Sequence, residues 1–227
     1  MYQDSAGTTP VTAVEQPVGL IQDKSGRGNH ASQSTSASRP VLKQDGNGSY
    51  YLSFDGVDDF LQTSTITPGT DKVQVFVGLR KLSDAASGIF IEMSATVNSN
   101  AGTINLFAPS GAAANYTTAS RGSAAAVVAS YTNAAIAAPV TNQVTVLSDI
   151  SGDSLILRAN GSDVAQSTSD QGTGNFTAQQ FYIGRRAGAS TPYNGNLYSL
   201  ITRFGSNLDA ATIGNAETWV NGKTRAY

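Results

Sequence analysis

The sequence predicts an all-β fold: a two-sheet antiparallel sandwich of jelly-roll type with one short C-terminal helix. Three observations point there. Glycine supplies 23 of the 227 residues, above its usual share of about 7%. Glutamate occurs only at Glu15, Glu92 and Glu217, although helix surfaces normally draw on Glu and Lys. Short β-branched runs are separated by Gly-, Asn- and Ser-rich turns, the pattern of strands joined by hairpins.

Residues 1–22 read as an extended, irregular lead interrupted by Pro10 and Pro17, and residues 23–227 as the sandwich. A polar, turn-rich loop fills 23–49. Strands follow at 50–54 and 60–63. The clearest strand is 73–79, where Val73, Val75, Val77 and Leu79 alternate with Gln74, Phe76 and Gly78. That period of two puts the valines in the core and leaves Phe76 on the other face, in need of a second layer or a ligand. Further strands are expected at 88–93 and 103–107. The segment 109–124 reads as a loop with Tyr116 as its one large side chain. Strands resume at 125–131, 143–148 and 154–159. Asn160-Gly161 then marks a tight hairpin, since both residues tolerate positive φ, and the return strand is 162–166. Two more lie at 180–184 and 196–204. The helix falls in 208–222, capped by Asp209, with Leu208 and Ile213 as a hydrophobic staple and Gly222 at its end.

Composition narrows the function. Lys and Arg number 14 against 16 Asp and Glu, a net charge of −2, so nothing electrostatic calls for nucleic acid. Cysteine is absent and His30 is the single histidine. That removes disulfides, thiolate metal sites and a Cys nucleophile. No apolar run approaches the roughly 20 residues of a membrane span, and the N-terminus has no basic-then-apolar export pattern.

Three segments go beyond generic strand patterning: Asp23-Lys24-Ser25-Gly26-Arg27-Gly28-Asn29-His30-Ala31, Leu52-Ser53-Phe54-Asp55-Gly56-Val57-Asp58-Asp59-Phe60-Leu61, and Phe181-Tyr182-Ile183-Gly184-Arg185-Arg186 followed by Tyr193-Asn194-Gly195-Asn196-Leu197-Tyr198-Ser199-Leu200. With the hairpin at 157–161 they resemble, in order, the concanavalin A-like lectin/glucanase superfamily in its laminin-G/pentraxin-like branch. The lead and the first loop look like the version found in structural proteins of tailed bacteriophages. That resemblance implies a non-enzymatic virion protein acting in adhesion or assembly: a head fibre, decoration or tail-associated domain on the surface of an extracellular particle made in the host cytoplasm. Its partners would be other virion proteins or host-surface glycans, and its state a homo-oligomer such as a trimer. The alternative is a carbohydrate-binding module of a longer host-recognition protein. A strand with a Trp-Asp motif often precedes this lead in the family and is missing here, so the chain reads as an excised domain.

Candidate sites follow from side-chain chemistry. Asp23, Asp55, Asp58 and Asp59 are hard oxygen donors on loops, with Asp23, Asp58 and Asp59 as the candidate ligands, and the superfamily often holds one structural calcium at its loop rim. The competing reading is that these carboxylates cap turns, with no cofactor at all. For glycan contact the candidates are Tyr193, Asn194, Arg185, Arg186 and Tyr116, with Tyr193, beside Pro192, as the exposed stacking platform. Arg185-Arg186 would meet an anionic sugar or a neighbouring subunit, or form a solvated rim. No catalytic residue is expected. Glycoside hydrolysis needs two carboxylates flanking one bond, and the glucanase string E-x-D-x-x-E does not occur. No G-x-S-x-G elbow serves His30, which reads as a loop residue using its ring for one hydrogen bond.

Overall fold

The computed structural model describes residues 1–94, 100–186 and 189–227. Two antiparallel sheets face each other. The eight-stranded sheet contains β1 (Leu20–Ile21), β2 (Ala31–Ser32), β5 (Leu61–Thr63), β14 (Tyr182–Ile183), β7 (Ile89–Met93), β8 (Thr103–Phe107), β9 (Asn115–Arg121) and β10 (Val127–Thr132), in that spatial order. The seven-stranded sheet runs β13 (Ser162–Ser167), β12 (Ser154–Ala159), β11 (Val140–Asp149), β6 (Lys72–Lys81), β15 (Asn194–Phe204), β4 (Tyr50–Asp55) and β3 (Val41–Gln44). One α-helix, α1 (Ala210–Thr224), follows the last strand.

The 73–79 alternation is realised at the centre of the seven-stranded sheet. Val73, Val75, Val77 and Leu79 are fully buried between the sheets, with Phe54, Ile91, Ile104, Val146 and Leu157 in the same core. Phe76 is buried too, but outside that core. Its second layer is α1, which packs across β6, β11 and β15. The approach is close at Gly78, where a Cβ would sit 1.6 Å from Thr224 Oγ1, so only a bare backbone lets the helix seat. Of the two coverings expected for Phe76, the second layer is the one present. Asp209 caps α1 by accepting the Thr212 N–H at 2.7 Å. The helix continues past Gly222 to Thr224 and ends on Arg225 in the left-handed region, φ 54°. Its other anchor is Glu217, 3% exposed, whose carboxylate accepts Arg158 Nε at 2.8 Å and a second guanidinium nitrogen at 3.2 Å. Arg158 also pairs with Asp163 across the 160–161 turn, and Asn160 and Gly161 have φ of 49° and 79° there, as the hairpin reading requires.

Residues 1–22 run as a lead that packs against the sandwich. Tyr2 bridges Leu20 and Pro10, Leu20–Ile21 pairs with Ala31–Ser32, and Val18 is in the core. The expected loop 109–124 contains β9, in register with β8 and β10. Tyr116 is its one large core anchor; its other buried residues are Asn115, Thr117, Thr118, Ala119 and Ser120, with Thr118 and Ser120 bonded to Asn105 O and Ser148 Oγ, a pattern that carries no hydrophobic period.

Candidate functional site

The turn between β4 and β5 gathers one group of candidate residues. Asp55, Asp58 and Asp59 each present a carboxylate oxygen within 4.8 Å of the others. Asn194 pairs with Asp55 in register and lies against Gly56, where a Cβ would come within 2.7 Å of the asparagine Cβ. The backbone at Gly56 has φ 76°, so glycine is required both for the turn and for the contact. Arg185 reaches over the same turn, donating to Asp58 O at 3.5 Å and to Ala189 O at 3.0 Å. Its Nε is buried without an acceptor among the described residues.

The acidic cluster has a definite electrostatic character. Burial, and then the charges of Asp55 and Asp58, push the Asp59 carboxyl up to about 6, against one opposing bond from the Asp55 N–H. Each carboxylate already has one oxygen engaged in the protein: Asp55 accepts Val57 N at 2.7 Å, Asp58 accepts Ser38 Oγ at 2.6 Å, and Asp59 accepts Asp55 N at 3.0 Å. One oxygen apiece remains for a cation. Three carboxylates with water satisfy the hard-oxygen chemistry of Ca²⁺, which takes six to eight such ligands. Asp23 is not among them. Both its oxygens accept within its own loop, from Ser25 N, Ser25 Oγ and Asn29 N at 2.8–3.0 Å, and those bonds hold it below the usual carboxylate range against its partial burial. Asp23 thus stands apart from the Asp55–Asp58–Asp59 cluster. His30 Nδ1 accepts the Asp23 N–H at 3.0 Å, the single loop bond expected of it.

Successive residues leave β14 in different directions, so Arg186 does not join Arg185. It lies on the outer face of the eight-stranded sheet. One row across that face reads Gln62, Tyr182, Glu92, Asn105, Ala119 and Val128, fixed by strand register. Arg186 Nε is 3.3 Å from Glu92 Oε1, and its guanidinium stands 5.3 Å from the centre of the Phe107 ring. The Glu92 side chain is 1% exposed and that of Arg186 is 29% exposed. A buried carboxylate therefore sits beside a partly exposed guanidinium that stands over an aromatic ring, a group suited to planar, multidentate hydrogen bonding. Tyr182 adds a half-buried phenol, tied to Gln180 at 2.7 Å. Glu92 is not among the sequence candidates, because no acidic residue stands at an offset that would give it a hydrolytic partner.

The tyrosine candidates move the other way. Tyr193 and Tyr116 are fully buried, which corrects the expectation that Tyr193 is an exposed platform. Tyr193 meets Phe90 edge-on, centroids 5.0 Å apart at 88°, and donates its hydroxyl to Arg80 O at 2.8 Å. Gly195 makes room for it, since a Cβ there would fall 2.3 Å from the Tyr193 hydroxyl. Tyr116 donates to Asn142 Oδ1 at 2.8 Å beneath the buried Lys81 ammonium, 5.0 Å from its ring centre. Neither ring offers a face to a sugar.

Solved structures share this architecture. The binding domain of botulinum neurotoxin DC in complex with SialylT superposes with a TM-score of 0.59 at 11% identity, over 90% of this chain and 51% of that one. The CBM40 of the Ruminococcus gnavus IT-sialidase, bound to α2,3-sialyllactose, gives 0.51 at 16% identity over 68% of this chain and 97% of that one. The native heptameric SAP-like pentraxin from Limulus polyphemus gives 0.54 at 14% identity over 75% and 81%. The fold is the concanavalin A-like jelly roll. This chain spans about half the length of the toxin domains it matches. At these identities the likeness establishes the fold alone. No protein-family model and no curated protein matches the sequence.

Proposed function

We propose that this domain is a non-catalytic, lectin-like carbohydrate-binding module that holds its glycan on the outer face of the eight-stranded sheet. Arg186 anchors the ligand, Glu92 positions the guanidinium, and Phe107 and Tyr182 form the wall. The observation that carries this reading is the Glu92–Arg186–Phe107 group: a planar donor, 29% exposed, on a sheet face that α1 does not cover. The structural neighbours support it, since one was solved with sialyllactose and another with SialylT. An acidic glycan is the first class to test. The parent chain on a glycan array should retain a sialylated ligand. Arg186→Ala and the charge-conserving Arg186→Lys should each lose at least about tenfold in affinity, because the fork rather than the charge is used. Folded variants that bind like the parent, or a parent that retains no glycan, overturn the assignment. Polysaccharide incubated with the protein should release no reducing ends.

The Asp55–Asp58–Asp59 rim is assigned a structural calcium on the fit of its free oxygens; chelation should then lower the melting temperature. A homo-oligomer agrees with the heptameric neighbour, and light scattering after size exclusion tests it. Placement on a virion rests on the resemblance of the lead and first loop, and mass spectrometry of purified phage particles tests that.

A further inference from the structure

With Tyr193 and Tyr116 in the core, the aromatic side chains standing more than half exposed among the described residues are Tyr50, Trp219 and Tyr227, at 56%, 53% and 59%. Two of these flank one place on the opposite side of the molecule from Arg186. There a cleft of about 380 Å³ opens between the β3–β4 turn, β15 and the last turn of α1, lined by Gly48, Ser49, Tyr50, Tyr198, Gly222 and Lys223. Tyr198 is braced from behind by Tyr51, their centroids 5.3 Å apart and tilted by 44°. Lys223 reaches back over the Trp219 ring, its Nζ 5.6 Å from the ring centre. Gly222 has no heavy atom within 4 Å of where its Cβ would stand, so the wall at this point is bare helix backbone facing open space.

We infer that this cleft is a second, independent carbohydrate site, taking a single pyranose ring. The chemistry matches on both faces of such a ligand. Its apolar C–H face has tyrosine rings to lie on, which combine an apolar body with a polar tip. Its hydroxyls meet the Lys223 ammonium, the Ser49 hydroxyl and the phenols of Tyr50 and Tyr198. Burial, and next the nearby Asp45 charge, hold the Tyr198 phenol above its ordinary range, so it remains a donor at any neutral pH. The site lies on the seven-stranded sheet beside α1 and uses none of the Arg186 group, so one domain carries two faces for glycan. Two weak contacts on one rigid body raise retention on a dense glycan surface beyond either alone.

The experiment uses the sole tryptophan as a local reporter. The whole chain is titrated with methyl pyranosides of glucose, galactose, mannose and N-acetylglucosamine while Trp219 fluorescence is followed, and saturation-transfer NMR identifies the sugar contacted. At least one pyranoside should give a saturable change, because engaging Lys223 disturbs its contact with the indole. Gly222→Leu fills the cleft from a helical position with room for a side chain, and Tyr50→Ala removes one wall; each should weaken that titration by at least about tenfold, a difference easily resolved on the affinity scale. Gly222→Leu should leave array binding through the sheet face unchanged, which separates failure of this site from failure of the Arg186 site. An absent fluorescence change with all four sugars, or unchanged binding in folded Gly222→Leu, overturns the inference.

Discussion

Replacing Asp59 by Asn should stabilise the protein at neutral pH and do nothing in acid. The Asp59 carboxyl is 6% exposed and is raised from 3.8 to about 6 by burial and by its two acidic neighbours. An acid whose folded pKa lies above its unfolded value binds protons more tightly in the native state. Its ionisation therefore weakens the fold as pH rises. Below pH 3.8 the group is neutral in both states and there is no penalty; the penalty grows between pH 3.8 and about 6 and is complete above. At about 1.4 kcal/mol per pKa unit, the shift corresponds to roughly 3 kcal/mol. Asparagine keeps a carbonyl oxygen for the Asp55 N–H, so the one bond the carboxylate makes to the loop is preserved. Urea unfolding followed by circular dichroism, in chelator, should show the variant more stable than the parent by about 2–3 kcal/mol at neutral pH, with the two curves merging near pH 3.5. A variant equal to or weaker than the parent at neutral pH in chelator refutes the reasoning. Calcium reverses the comparison: it offsets the repulsion among three carboxylates, so the parent should gain stability on its addition and the variant much less.

Other perturbations follow from the packing. Tyr193→Ala should cost about 3–5 kcal/mol in denaturant melts, since it empties a fully enclosed aromatic site, and Tyr193→Phe about 1 kcal/mol for the Arg80 carbonyl bond. Glu217→Ala should destabilise by about 2 kcal/mol because it removes the two charge-assisted bonds that tie Arg158 to the helix, while Asp163 and Gly161 O still hold the guanidinium; a loss below about 0.5 kcal/mol would show the pair to be water-screened. Gly78→Val should detach α1 from the sheet, read as loss of helical circular dichroism and protease cleavage within 206–227, while Val at the neighbouring exposed Lys223 should leave the helix seated.

The architecture was legible where backbone pattern and burial agree. The alternation at 73–79, the Asn160-Gly161 turn and the Asp209 cap are local signals with local causes, and each is realised in place. β9 was not legible, because Tyr116 is followed at the alternate positions by Thr118 and Ser120, whose hydroxyls are satisfied by Asn105 O on β8 and Ser148 Oγ on β11 rather than marked by an apolar face. The site was legible in part for the same reason. Asp58, Asp59, Arg185 and Asn194 do meet at one rim, since β4 and β15 pair with Asp55 opposite Asn194. Arg186 parted from its neighbour because the chain bends at Gly184 and Arg185, past the end of β14, with Gly184 at φ 91°. Tyr193 beside a proline looked like a loop residue; the signal to read was Gly195, two positions on, whose missing side chain leaves space for a phenol.

Chain order has a consequence for how this molecule is made. The strip of sheet that α1 hides belongs to β6, near the middle of the sequence, whereas the helix comes after every strand. During synthesis Phe76 stays wet until the helix has left the ribosome, and a chain cut before residue 210 keeps that strip bare in the middle of a finished sheet. Chains cut short of the helix are the ones expected to clump or be degraded.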